Sequence, residues 1–399
     1  MKLYKSYRKY LFKRDTLLST ISVFLLIGLL ALLPLNTNIF NPIKTALVDF
    51  DFNDIAYAKL GKNSDTRLDD RIVIVNIGDA DRAQIAGMLE LVNGSKPKAI
   101  GLDVEFKEAR EETADAMLLQ AIQRTPNMVG ASRLNWKEKE GIEYRGYFAN
   151  AIPDYGYVNF IGEDAGTIRF FSPREKANGQ EYLCFASALI KKGDPEIYNK
   201  QAKRDRHLER IHYKRRTAQY HVVNGYDLLE GKVSPNLFQN KYVLLGYINE
   251  DIHNVEDKHF TPMNASFAGK SLPDMNGVVI HANIISMMLD SNFVRKMPGW
   301  LNWLITIAIA WLHVALFIRY YVDDHLWFHL AAKVAQVISA IIFVFLSIML
   351  FHWVGLELDM KMPLIVIILA IDVIYFYEAF ALWMHKKYGF STVFNHKTH

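Results

Sequence analysis

Cysteine is nearly missing from this sequence. Cys184 is the single thiol among 399 residues, so no intrachain disulfide can form, and a domain of the size available here buries enough apolar surface to need none. A surplus of one charge is missing too: 46 Lys and Arg stand against 42 Asp and Glu, a net charge of +4. That balance implies no polyanionic partner, and nucleic acid is not expected. There is no internal repeat, no low-complexity linker and no nucleophile motif, so the sequence gives no ground for an enzyme. The middle of the chain also lacks long apolar runs. Hydrophobic residues make up 51% of the whole, slightly above a soluble domain, and the surplus gathers at the two ends.

Those ends predict four membrane spans. Thr16 to Leu35 (TLLSTISVFLLIGLLALLPL) is uncharged and long enough to cross a bilayer as a helix. Lys2, Lys5, Arg8, Lys9, Lys13 and Arg14 precede it, which keeps residues 1–15 in the cytoplasm. No small-x-small cleavage site follows, so the span 16–35 is expected to be an uncleaved anchor. The second span is 300–318, with Trp300, Trp303 and Trp311 read as interface anchors of its outer half. Arg319, His325, His329 and Lys333 then place the next loop inside. The third span is 334–353 and the fourth 364–383, joined by an outer turn carrying Glu357, Asp359 and Lys361. A short cytoplasmic tail, 384–399, begins with His385, Lys386 and Lys387 and is too short for a further folded domain. Residues 36–297 are thereby predicted to lie outside. The membrane is expected to be the bacterial cytoplasmic (inner) membrane, with its lipid as the first partner.

The outer segment reads as α/β. RIVIVNIG (71–78), AIGLDVEF (99–106), NMVGAS (127–132) and KYVLLGY (241–247) are β-branched or apolar runs of strand length. Helical spacing over Asp81 to Val92, and from a cap at Thr113 to about Gln123, alternates with the first three and predicts parallel pairing. Gly156 to Phe160 and Thr167 to Phe171 are expected to form a hairpin. Ile211–His212 is expected to pair with Ala218 to Val223. Gly277 to Leu289 (GVVIHANIISMML) is a largely apolar helix leading in sequence toward the second span.

Taken in order, DDRIVIVNIGD, PKAIGLDVEF, YGYVNFIGEDAGTIRF, KYVLLGY followed by DKHFTP, and MNGVVIHANIISMML resemble the CHASE domain of the second type, an extracellular sensor domain. One span before the domain and three after it match that family's layout. The resemblance implies a domain that senses a small molecule or an envelope condition and relays it to a kinase, cyclase or phosphatase on the same chain. Two departures stand out. No such output module is expected after the last span. The family's longer Trp- and Pro-containing stretch after the first strand is replaced by Asp79-Ala80, which leads straight into a helix.

Few residues invite a chemical role. Asp79 and Asp103 sit at or near the C-terminal ends of predicted parallel strands, where ligands of α/β sheets bind, and their bland alternative is to cap a neighbouring turn or helix. His281 lies on the apolar helix as a candidate ligand contact or a packed core ring. His253, Glu256, Asp257 and His259 match no standard zinc spacing, so neither metal nor cofactor is predicted. The basic run Lys200 to Arg216 is read by default as a solvated face. Asp372 sits in the fourth span, where a charge normally faces protein; His313, Gln336 and Ser339 are its candidate partners, and Glu378 lies near the inner interface. The expected function is a sensory or regulatory membrane subunit, without catalysis of its own, that binds an envelope ligand or partner and relays to a separate membrane or cytoplasmic output protein. A structural docking subunit and an ion-coupled or transport-linked role are its rivals. Homo- or hetero-oligomers remain open.

Overall fold

A computed structural model describes residues 2–32, 51–61, 67–135, 141–144, 146–162, 166–177, 179–251, 253–264, 272–323 and 328–397. The chain divides into two compact units, Val48–Val294, and Met1–Leu47 with Arg295–His399.

The first unit is built on a sheet of seven strands among the described residues: β1 (Ile72–Asn76), β2 (Ala99–Leu102), β3 (Met128–Asn135), β4 (Gly141–Tyr144), β5 (Tyr155–Tyr157), β6 (His221–Asn224) and β7 (Tyr242–Gly246). Their order is β6-β1-β7-β2-β3-β4, with β5 also against β3. Every pair is parallel except β3–β4. Ile72 to Val75, β2 and β7 are buried throughout, as a parallel sheet covered on both faces requires. On one face Val73, Val75, Ile100, Leu102, Val243 and Leu245 pack with Met88 and Leu89 of the helix Arg82–Gly94 and with Leu118 and Ile122 of the helix Glu112–Gln123. On the other, a Cβ on Gly101 would come within 2.8 Å of Phe185 and 2.9 Å of Leu189, and one on Gly246 within 2.9 Å of Val278. Glycine at these two positions therefore lets the helices Phe185–Gly193 and Gly277–Leu289 lie close on the strands. The helix Gly277–Leu289 is buried at every residue through Met288, which is why its sequence is apolar all round.

The helix expected over Asp81 to Val92 is found as Arg82–Gly94. Asp81 caps the helix Arg82–Gly94 by accepting from the Gln84 N–H, and the Gln84 side chain accepts the Asp81 N–H in return. Other expectations need correction. The helix Glu112–Gln123 starts after Glu111 and has no side-chain cap, so Thr113 lies inside it. Tyr155–Tyr157 joins β3 in parallel, and Phe170–Phe171 pairs with Glu209–Arg210; of the expected hairpin only an Ile161–Phe170 bridge forms. Ile211–His212 does not pair with 218–223, because His221–Asn224 is taken by β1. And β7 enters between β1 and β2, an insertion that strand order along the chain does not reveal.

The second unit holds four helices long and apolar enough to cross a membrane: Arg14–Leu32, Gly299–Asp323, Phe328–Val354 and Lys361–Tyr388. Residues 33–35 of the expected first span lie outside the described residues. A short helix, Lys2–Leu11, precedes the first span. In the fourth span Val366, Ile367, Ala370, Ile371, Ile374, Tyr377 and Ala381 are buried, a stripe at helical spacing that packs with Val314, Phe317 and Ile318 of the second span and Val23 of the first. Asn302 to the Asp359 carbonyl and Tyr321 to Glu378 both span 57 residues, so the second and fourth spans run parallel and in step.

Candidate ligand-binding site

The strands β1, β2 and β7 end along one edge of the sheet, and the loops there are pinned. The Asn76 side-chain Oδ1 accepts from the N–H groups of Gly78 (3.1 Å) and Ile248 (2.9 Å), and its Nδ2 donates to the Ile248 carbonyl at 2.9 Å. Asp103, just past β2, donates its backbone N–H to Leu245 at 2.9 Å. Its Cβ lies 3.5 Å from the point a Cβ on Gly246 would occupy. Asp257, held at φ 53°, accepts the Gly277 N–H on its backbone carbonyl at 3.2 Å. Its carboxylate stands 3.6 and 3.7 Å from the Cβ position of Gly277, the first residue of the buried helix. That end of a helix favours negative charge.

The electrostatics follow from this crowding of acids. Burial first, then the neighbouring Asp257 and Glu105, push the Asp103 carboxyl up to about 7, against the opposing pull of Arg133. Glu105 is itself ion-paired to Arg133. Burial, with Glu256, Asp79 and Asp257 nearby, raises the Tyr247 hydroxyl above its ordinary value. Asp79, Asp103, Glu105, Glu256 and Asp257 thus converge where the parallel strands end. Asp79 is exposed and caps nothing; the cap two residues on is Asp81. Such an edge offers negative charge and one carboxyl that titrates near neutrality, but among the described residues no group of three His, Cys, Asp or Glu is placed to hold a metal ion.

His281 belongs to the core under this edge. It is 4% exposed, stacks on Phe160 at 4.7 Å and meets Phe185 edge-on at 5.1 Å. Burial, reinforced by His259, pushes its pKa down to about 3, so the ring is neutral and packs as an aromatic. His253 is exposed and forms a turn on Asp251.

Sequence reading missed the ionic framework of this unit. Asp69 accepts from Arg71 (2.7 Å) and from Ser286 of the buried helix (2.6 Å), with Arg215 at 3.4 Å. These partners hold the Asp69 carboxyl down at about 2, against the opposing effect of burial. Asp54 pairs with Arg169 at 2.6 Å, both nearly buried. The basic run is not a solvated face. Arg210 reaches Asp51 at 2.5 Å, Arg204 and Arg206 converge on the buried Glu209, and Arg215 bonds Ser286. A groove of ≈ 700 Å³ beside β5, lined in part by Ser132, Asp154, Tyr155, Tyr157, Tyr182 and Lys192, also went unseen; only its tyrosines leave a trace in the sequence.

In the second unit the expected intramembrane contacts are rearranged. His313 donates from Nδ1 to the Ile309 carbonyl of its own helix (2.8 Å). Gln336 donates to the carbonyls of Ile367 and Ile368. Glu378 accepts from Tyr321. Asp372 meets neither His313, Gln336 nor Ser339: it is exposed on the outer face of its helix. Among the described residues of this unit the buried carboxylate is instead Asp15, which accepts from Tyr377 (2.8 Å), Thr392 (2.9 Å) and the Val393 N–H (3.1 Å). Trp311 donates its indole N–H to the Leu11 carbonyl at 2.7 Å, a protein contact in place of an outer-interface anchor.

A family model, the CHASE2 domain, matches residues 22–319. The match covers most of the chain, which therefore belongs to the CHASE2 domain family, a family of sensor domains. No curated protein and no solved structure matches it.

Proposed function

We propose that this protein is a sensory or regulatory subunit whose α/β unit faces away from the cytoplasm and binds its ligand at the acidic edge where β1, β2 and β7 end. The family assignment supports a sensor, and the observation that carries the site is Asp103, a carboxyl pushed near neutrality beside Asp257 at the start of the buried helix. Ligand binding there changes charge next to Gly277–Leu289, the last long element before the second span. Only a ligand with different affinities for two states of the domain relays anything. The readout belongs to a separate membrane or cytoplasmic protein, and the subunit has no catalytic activity of its own. The ionic framework around Asp54, Asp69 and Glu209 favours a second reading, a rigid docking platform in an envelope complex.

Purification of the full chain in mild detergent, with identification of what co-purifies, separates the two. A stoichiometric protein partner whose binding is unchanged in Asp103→Asn and Asp257→Asn supports docking. A bound small molecule or a pH-dependent partner that these variants lose supports sensing. A hydrolytic activity abolished by Asp103→Asn overturns both.

A further inference from the structure

We infer that the outer face of the fourth span is an interface with a second copy of this chain, held by an ion pair between Asp372 of each copy and Lys333 of the other. Asp372 is the twelfth of 28 residues in Lys361–Tyr388, about 17 Å from the helix start at 1.5 Å per residue. The face it shares is otherwise apolar, with Ile368 59%, Phe376 69% and Phe380 53% exposed. A carboxylate on such a face costs a few kcal/mol or more against lipid and calls for a protein partner. Among the described residues its own bundle supplies no hydrogen bond or ion pair.

The complement lies at the same depth. The third and fourth spans are antiparallel neighbours, and two contacts set their register: His329 with the Tyr375 hydroxyl at 3.0 Å, and Gln336 with the carbonyls of Ile367 and Ile368 at 2.9 and 2.7 Å. Lys333 is one turn beyond His329 and just short of Gln336. Asp372 is one turn beyond Ile368 and just short of Tyr375. Both are therefore level, between the same two contacts, and Lys333 is exposed and unpaired among the described residues as well. A two-fold axis along the membrane normal carries every residue to the same depth in the second copy, and such an interface is self-complementary. It sets each Asp372 against the other copy's Lys333, giving two equivalent pairs in a medium where opposite charges attract strongly.

The test uses full-length chains in membranes. Asp372→Lys alone and Lys333→Asp alone each place like charges across the axis, and each is expected to lose self-association. Co-expressed with different tags, the two variants form both pairs in trans, and about tenfold more hetero- than homo-association is expected, a difference of about 1.4 kcal/mol. Recovery only when both changes are in one chain indicates a pair within the chain and overturns the proposal. A variant that fails to insert is bypassed by oxidative crosslinking of Ile368→Cys or Phe376→Cys in a Cys184→Ser background. Serine keeps the helix cap that the Cys184 sulfur provides to the Ser187 N–H. Crosslinked dimers support the interface. Monomers alone, or crosslinks to another protein, overturn it.

Discussion

Asp103, partly buried, and Asp69, buried, are two acids of one domain with opposite consequences. Asp69 is surrounded by donors and held down at about 2; Asp103 is surrounded by other acids and pushed up to about 7. An acid whose folded pKa lies above its unfolded value binds more protons folded than unfolded. Its ionisation therefore destabilises the fold as pH rises from about 4 to 7, and the loss persists above 7. Asp103→Asn removes that charge. The variant is expected to match the parent near pH 4 and to exceed it at pH 8 by on the order of 1–3 kcal/mol, partial exposure screening the rest. Cys184 supplies the readout. It is the only thiol in the chain, it is buried, and burial pushes its pKa up to about 11, so a thiol-reactive dye labels it only when the domain opens. Labelling temperatures of parent and variant, compared at each pH, give the difference; a variant less stable at pH 8 contradicts the acid cluster.

The buried helix Gly277–Leu289 shows which features of an element its sequence carries. Its bounds and apolar character were legible because a helix buried on all sides must be apolar on all sides. What it grips was not legible, because its partners lie far along the chain. Asn283 accepts from the N–H groups of Lys214 and Arg215 at 3.2 Å and donates to the Arg215 carbonyl at 2.9 Å, and Ser286 meets Arg215 and Asp69. The same distance hid the true role of the basic run, since local composition cannot show that Asp51 and Asp69 wait for Arg210 and Arg215. Asn283→Leu keeps the volume but strands three backbone polar groups inside the core. The expected cost is about 2–4 kcal/mol, read as a lower labelling temperature at Cys184; Asn283→Ser, which is able to rebuild part of the network, is expected to lose less. Equal stability of the leucine variant means that the segment 214–215 finds other partners.

At the scale of the molecule, four apolar runs were enough to announce four spans, but not which face of each meets protein. Lipid and core both accept leucine, so the apolar residues of the fourth span do not tell which face meets protein, and the outward face of Asp372 emerged only from packing. Topology is the claim that ties the units to function, and two independent arguments bear on it. The first is charge: six Lys and Arg lie between Lys2 and Arg14, and basic flanks stay in the cytoplasm. The second is geometric and says nothing about which side is which. Tyr10 donates to Asp323 at 2.6 Å, Asp15 accepts from Thr392 and Val393, and Arg14 bonds the Ser391 carbonyl. The N-terminal helix, the end of the second span and the C-terminal tail therefore share one end of the bundle. Reporter fusions test the two arguments separately. Fusions after Asp323 and His399 are expected to report cytoplasm, and fusions after Lys62 and Asn236 the outside. If Asp323 and His399 disagree with each other, the bundle is wrong. If they agree but report the outside, the bundle stands and the charge rule fails, and the α/β unit would then sense the cytoplasm.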